Sequence, residues 1–221
     1  MQANHDKPEH ATETRHPRRW QDVVALAQVD VAAVLARAIA HGSLDRDRYQ
    51  DWLAMESVAC RVSALSLDTV ACWHGAQPAL RATAQTWAAE LRELAQVAAR
   101  DVRVIDGVAA TPPTAMGHWH AFACSAGGSQ RAGEVLGGVL LHGRLYEGPV
   151  RAVATAILTM PFSHGGQYLV RRLRADTGIA THARDALLDV YSASALAVGA
   201  QRAAGWYHAA LASSVAKRAA A

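Results

Sequence analysis

The chain has 221 residues, 51% hydrophobic, 19% charged and 6% aromatic, a size that fits one domain with a sizeable core. Its 22 basic residues exceed the 19 acidic ones by only three, too weak an excess to imply a nucleic-acid partner. Seven prolines and two phenylalanines argue against an all-β sandwich or a low-complexity chain. The sequence reads as having no apolar run of the roughly 18 residues that cross a bilayer, and Met1 to Arg19 has no apolar core of a secretory signal. Cys60, Cys72 and Cys124 are odd in number and lack Cys-x-x-Cys spacing, which suits a reducing compartment. Only Lys7 and Lys217 are lysines; with the heavy alanine use, this points to a GC-rich, bacterial type of coding sequence. The expectation is a cytoplasmic, helical protein without a membrane span.

Residues 1–18 are polar, with Pro8, Pro17, His5, His10 and His16 irregularly spaced, and read as a disordered or loosely docked tail before a domain over 19–221. Trp20, Val23, Val24, Ala27, Val31, Val34, Leu35 and Ile39 recur at three- and four-residue steps, the apolar stripe of a first helix that Gly42 stops. Asp45 is an N-cap for a second helix with Tyr49, Trp52, Leu53, Cys60, Ser63 and Leu67 inward. Pro78 suits the first turn of a third helix, whose buried face is Leu80, Ala84, Trp87, Leu91 and Leu94. Residues 101–113 read as an irregular connection with a short extended piece at Val102 and Val104-Ile105. A fourth helical stretch from Thr114 is interrupted at Gly127-Gly128 and resumes to Gly143. Further helices are expected from Pro149, from Ser163 or His164 to Arg174, and from Thr181 toward Val215. No strand alternation and no fixed repeat appear. The fold class is therefore an all-α, single-domain bundle of seven to eight helices.

The stretch His41-Gly42-Ser43-Leu44-Asp45 through Tyr49, Trp52-Leu53 and Glu56 resembles a signature of the heme-oxygenase-like superfamily, which includes heme oxygenases, TenA thiaminases, PqqC-type oxidases and diiron oxidases. Gly128-Ser129-Gln130-Arg131-Ala132-Gly133-Glu134 is similar to the glycine-rich distal helix of bacterial heme oxygenases, where residues without side chains let backbone approach the heme. The resemblance implies a heme-oxygenase-like bundle and a planar ligand held between the first helix and the glycine-kinked helix. It also exposes departures. Ala27 stands where heme oxygenases carry the iron-binding histidine, and alanine offers no lone pair. The glutamate that diiron members place beside the Gly-Ser segment falls on Gly127, and His182, Asp185 and Asp189 echo their last-helix ligands only in part. Heme is thus the cofactor to test, and a diiron centre is not expected. For the TenA branch, Glu56 falls on the active-site acid and Cys124 on the nucleophile, whereas Gln201 to Tyr207 offers no late carboxylate.

Other residues carry weaker signals. His118-Trp119-His120 diverge on a helix and cannot share one metal there. Ser163-His164-Gly165-Gly166 sets an imidazole beside glycine backbone, and Arg171, Arg172 and Arg174 form a cluster suited to ligand carboxylates. Walker A, GxGxxG, GxSxG and HExxH motifs are missing. The expected site is Glu56 and Cys124 as catalytic groups, with Gly127, Gly128, Gly133, His164 and Arg171 as ligand contacts. His164, then His120, is the iron ligand should heme bind. The expected function is binding or oxidative transformation of a planar small molecule, heme or a similar tetrapyrrole. The alternatives are a non-catalytic binding or accessory protein that has lost its metal ligands, and a TenA-like C–N hydrolase using Cys124 and Glu56. The partners expected are a small-molecule ligand and at most a second copy of the chain.

Overall fold

A computed structural model describes residues 19–74, 77–105, 113–125, 129–164, 166–174, 185–187 and 189–216. Among these residues there is no strand. The chain forms α1 (Trp20–Ala40), α2 (Arg46–Trp73), α3 (Pro78–Val104), α4 (Thr114–Ser125), α5 (Ser129–Arg144), α6 (Gly148–Ile157), a 3-10 turn (Pro161–Ser163), α7 (Tyr168–Arg174) and α8 (Ala193–Val215). The architecture is an all-α bundle.

Local chemistry sets most of these boundaries. Gly42 adopts a positive φ of 62° just past α1, a conformation that costs a side-chain-bearing residue more. The Asp45 carboxylate accepts the Arg48 backbone N–H at 2.9 Å, a cap whose loss costs about 1 kcal/mol. Pro78 sits in the first turn of α3, where its missing N–H would have had no helical partner.

Three boundaries differ from the sequence reading. Asp101 to Val104 continue α3 rather than forming an extended piece. The Asp101 carboxylate accepts the backbone N–H groups of Gln167 and Tyr168 at 2.7 and 2.6 Å, and Gln50 Nε2 donates to the Val102 carbonyl at 3.0 Å. Those tertiary bonds hold the helix one turn longer than its local sequence suggests. After α6 the chain makes only a 3-10 turn, and α7 begins at Tyr168, not at Ser163 or His164. The final helix begins at Ala193, where the Ser192 hydroxyl accepts the Ala195 N–H at 3.3 Å; Thr181 and His182 lie outside the described residues.

The long helix α2 forms the spine, packed against α3, α4, α5 and α8. Its inward stripe from Tyr49 to Leu67 is fully buried, as its spacing predicts. α5 and α8 approach backbone to backbone. A Cβ on Gly137 would overlap the Leu196 carbonyl, and one on Gly199 would overlap the Glu134 carbonyl.

By length and composition α1 is apolar enough to cross a bilayer, with a mean hydropathy of 1.9; this corrects the expectation that no stretch is. Its buried face packs on α8, α6 and α5, while Leu26 and Val29 remain about half exposed.

Candidate functional site

The centre of the bundle is polar. Glu56, Cys60 and Ser63 lie four and three residues apart on α2 and so share one face. α5 brings His142, α7 brings Tyr168 and Arg172 four residues apart, and α8 brings Tyr207; all of them are buried. The Tyr168 hydroxyl donates to Glu56 Oε2 and the Tyr207 hydroxyl to Oε1. His142 Nδ1 is 3.0 Å from Ser63 Oγ, and its Nε2 faces Glu56 Oε2 at 3.6 Å. Cys60 Sγ is 3.8 Å from the Tyr168 hydroxyl. Arg172 donates from Nη2 to the His142 carbonyl and lies over the Tyr146 ring, 5.0 Å from its centroid. The edge of Trp119 meets the His142 ring with centroids 5.8 Å apart.

A buried carboxylate survives only where neighbours replace its hydration. Burial by itself pushes Glu56 up, but the His142 imidazole, the Arg172 charge and the Tyr168 hydroxyl outweigh it and hold the carboxyl at about 2. Burial, reinforced by Arg172, pushes His142 below its ordinary value, so the imidazole is neutral near pH 7. Burial likewise lifts Cys60 to about 12 and keeps it a thiol. Tyr168 and Tyr207 are raised, first by burial and also by the Glu56 charge, and remain hydrogen-bond donors. The nest thus holds one anion, Glu56, and one cation, Arg172. Arg172 Nε has no hydrogen-bond partner among the described residues, and His142 Nε2 has only its longer approach to Glu56. Orphaned buried groups of this kind are costly and uncommon.

A second feature lies on the outer side of Tyr207. A groove of about 390 Å³ runs between α1 (Ala27, Asp30, Val31), the end of α5 with Leu145 (Leu141, Leu145) and α8 (Ala204, Gly205, Tyr207, His208). This volume falls within the usual range for small-molecule sites. Ala27, Ala204 and Gly205 contribute little beyond backbone to its lining. Asp30 and His208 are exposed at its rim. Tyr207 belongs to both features, since it lines the groove while its hydroxyl is bonded to Glu56.

Of the residues singled out from sequence, Glu56 stands at the heart of the buried nest. Cys124 does not join it: the thiol is exposed on α4, 3.9–4.0 Å from the ring nitrogens of His120. The cysteine that accompanies Glu56 is Cys60. His164 is exposed just after the 3-10 turn, and neither it nor His120 lines the groove. Gly133 faces α8 and the residue before its cap: a Cβ there would come within 3.0 Å of Tyr191 and 3.1 Å of Ala195. Gly127 and Gly128 lie outside the described residues. Arg171 is exposed, and its neighbour Arg172 is the buried arginine.

Sequence reading missed His142, Tyr168 and Tyr207, named Arg172 only within a cluster suited to ligand carboxylates, and treated Cys60 and Ser63 only as core. Periodicity carried the signal. Val135, Val139 and His142 share one phase on α5, as do Leu196, Ala203 and Tyr207 on α8. On α7 the buried set is Tyr168, Leu169, Arg172 and Leu173, so a phase drawn through the leucines sends Arg172 inward and Arg171 outward.

The donor sets separate the cofactors that the resemblance implies. One glutamate, one histidine and one cysteine do not fit a carboxylate-rich dinuclear iron centre. Among the residues that line the groove, His208 carries an imidazole and Ala27 carries none. No protein family, curated protein or solved structure matches this chain.

Proposed function

We propose that the protein binds a planar small molecule of the tetrapyrrole class in the groove between α1, α5 and α8. The observation that supports this reading is Tyr207, whose ring lines a slot walled by Ala27, Ala204 and Gly205 and whose hydroxyl is anchored on Glu56. Small walls admit a flat face. The anchor holds the aromatic ring in one rotamer, so the slot is preorganised and little side-chain entropy is lost on binding. Asp30 and His208 mark the polar rim. Should the ligand be heme, His208 is the residue to reach its iron, and the bound iron would supply the redox chemistry that these side chains lack.

Titration of the full chain with hemin and with protoporphyrin IX tests the proposal. Both are expected to bind at one equivalent, hemin with a Soret shift that His208→Ala alters and protoporphyrin IX without dependence on His208. A Cβ on Gly205 meets nothing within 4 Å and Gly205 lines the groove, so Gly205→Leu adds bulk there and is expected to abolish binding of both. Failure of both ligands to bind overturns the reading, as does unchanged binding by Gly205→Leu.

A further inference from the structure

The inner side of Tyr207 carries a second, independent assignment. We propose that Glu56, Cys60 and His142 bind a single divalent transition-metal ion of the zinc class. Their ligating atoms lie within 4.8 Å of one another, and all three side chains are buried. Glu56 and Cys60 stand one turn apart on the same face of α2, the i and i+4 spacing that lets two side chains of a helix share one ion.

His142 supplies the observation that points to a ligand. Its Nδ1 is held by Ser63 Oγ at 3.0 Å, while Nε2 is buried, unpartnered among the described residues and aimed at Glu56. One ring nitrogen fixed by a hydrogen bond and the other turned toward a second donor, here the Glu56 carboxylate, is the arrangement of a metal-binding imidazole. The Tyr168 hydroxyl touches both Glu56 and Cys60 and so orients two of the three ligands. A mixed oxygen, nitrogen and sulfur set suits zinc; calcium and magnesium require oxygen throughout.

On binding, the Cys60 thiol gives up its proton to solvent, and a sulfur–metal bond replaces the S–H bond. The ion's two positive charges then meet the Glu56 and Cys60 anions, with Arg172 leaving the loaded centre at one net positive charge. That residual charge makes the site weaker than a structural zinc site with several thiolates.

Cobalt(II), added to chelator-treated full-length protein, is the probe. The expected result is a thiolate-to-cobalt charge-transfer band in the near ultraviolet that saturates at one equivalent and disappears when zinc displaces cobalt. Cys60→Ser is expected to remove the band with unchanged far-ultraviolet circular dichroism, and the double variant Cys72→Ser/Cys124→Ser to keep it. Ser63→Ala, which frees the imidazole, is expected to weaken binding about ten- to a hundredfold. No band in the wild type overturns the assignment, and so does a band that survives Cys60→Ser or vanishes in the double variant. Because none of these readouts uses a groove ligand, the result is independent of the tetrapyrrole titration.

Discussion

Gly199 and Gly205 stand six residues apart on the same helix and do opposite work. At Gly199 the α8 backbone rests directly on the Glu134 carbonyl of α5, with no room for a methyl group, whereas at Gly205 a methyl would project into open space beside the groove. Two residues past Gly205 the helix turns Tyr207 inward to the buried carboxylate. A glycine in a helix is therefore not by itself a sign of ligand contact. Its meaning depends on which neighbour the missing side chain admits.

The sharpest break in this contrast is at the carboxylate on which the inner side depends. Glu56→Leu removes the anion and leaves Arg172 as an uncompensated buried cation, and the loss of stability in urea unfolding is expected to be about 3–5 kcal/mol. Gly199→Ala forces helix backbones apart and is expected to cost about 3 kcal/mol, the upper end of overpacking penalties. Gly133→Ala meets side chains of Tyr191 and Ala195 that can shift by a few tenths of an ångström, so an intermediate loss of about 1 kcal/mol is expected in the same assay.

A gentler probe is pH. Glu56 is held near 2 when folded, below its ordinary value of about 4.5. Its contribution is complete above the ordinary value and is lost as pH falls toward 2. His142 is held below its ordinary 6.5, so the unfolded chain takes up that proton first, and stability again falls as pH drops below about 6.5. Thermal unfolding from pH 8 to pH 3 is expected to show a Tm that declines in both windows, with the upper decline absent in His142→Gln. The smallest effect belongs to the open end of α8. Gly205→Ala is expected to leave stability unchanged or raise it by up to about 1 kcal/mol, while weakening binding in the groove. A loss of stability there as large as at Gly199 would erase the distinction between the two glycines.

Much of the fold was legible in the order of residues. The stripes of α1, α2 and α3, the Asp45 cap, the Gly42 stop and Pro78 all act within a turn or two of chain, and local geometry is enough to read them. The misplaced boundaries were those set from a distance. Asp101 is a polar residue near Gly107 and two prolines, and it stays helical because its carboxylate caps the start of α7, 66 residues away. The choice among candidate site residues followed the same division. Glu56 was visible as an acid on the inner face of a helix. Cys124 looked like its companion by resemblance, but it faces solvent on α4, and the thiol near Glu56 is one turn away on Glu56's own helix.

The sequence by itself determined that the chain is helical, where most helices begin and end, and which stripe of each turns inward, because these follow from 3.6-residue periodicity and short-range capping. Only the tertiary structure decided that the inward stripes of α2, α5, α7 and α8 meet at a charged centre rather than an apolar one. It alone decided that Gly137 and Gly199 join helices while Gly205 opens a groove. Burial, the bonding of Glu56 to two distant tyrosines in the field of a buried arginine, and the space beside a glycine are properties of the gap between helices, and no single helix encodes them.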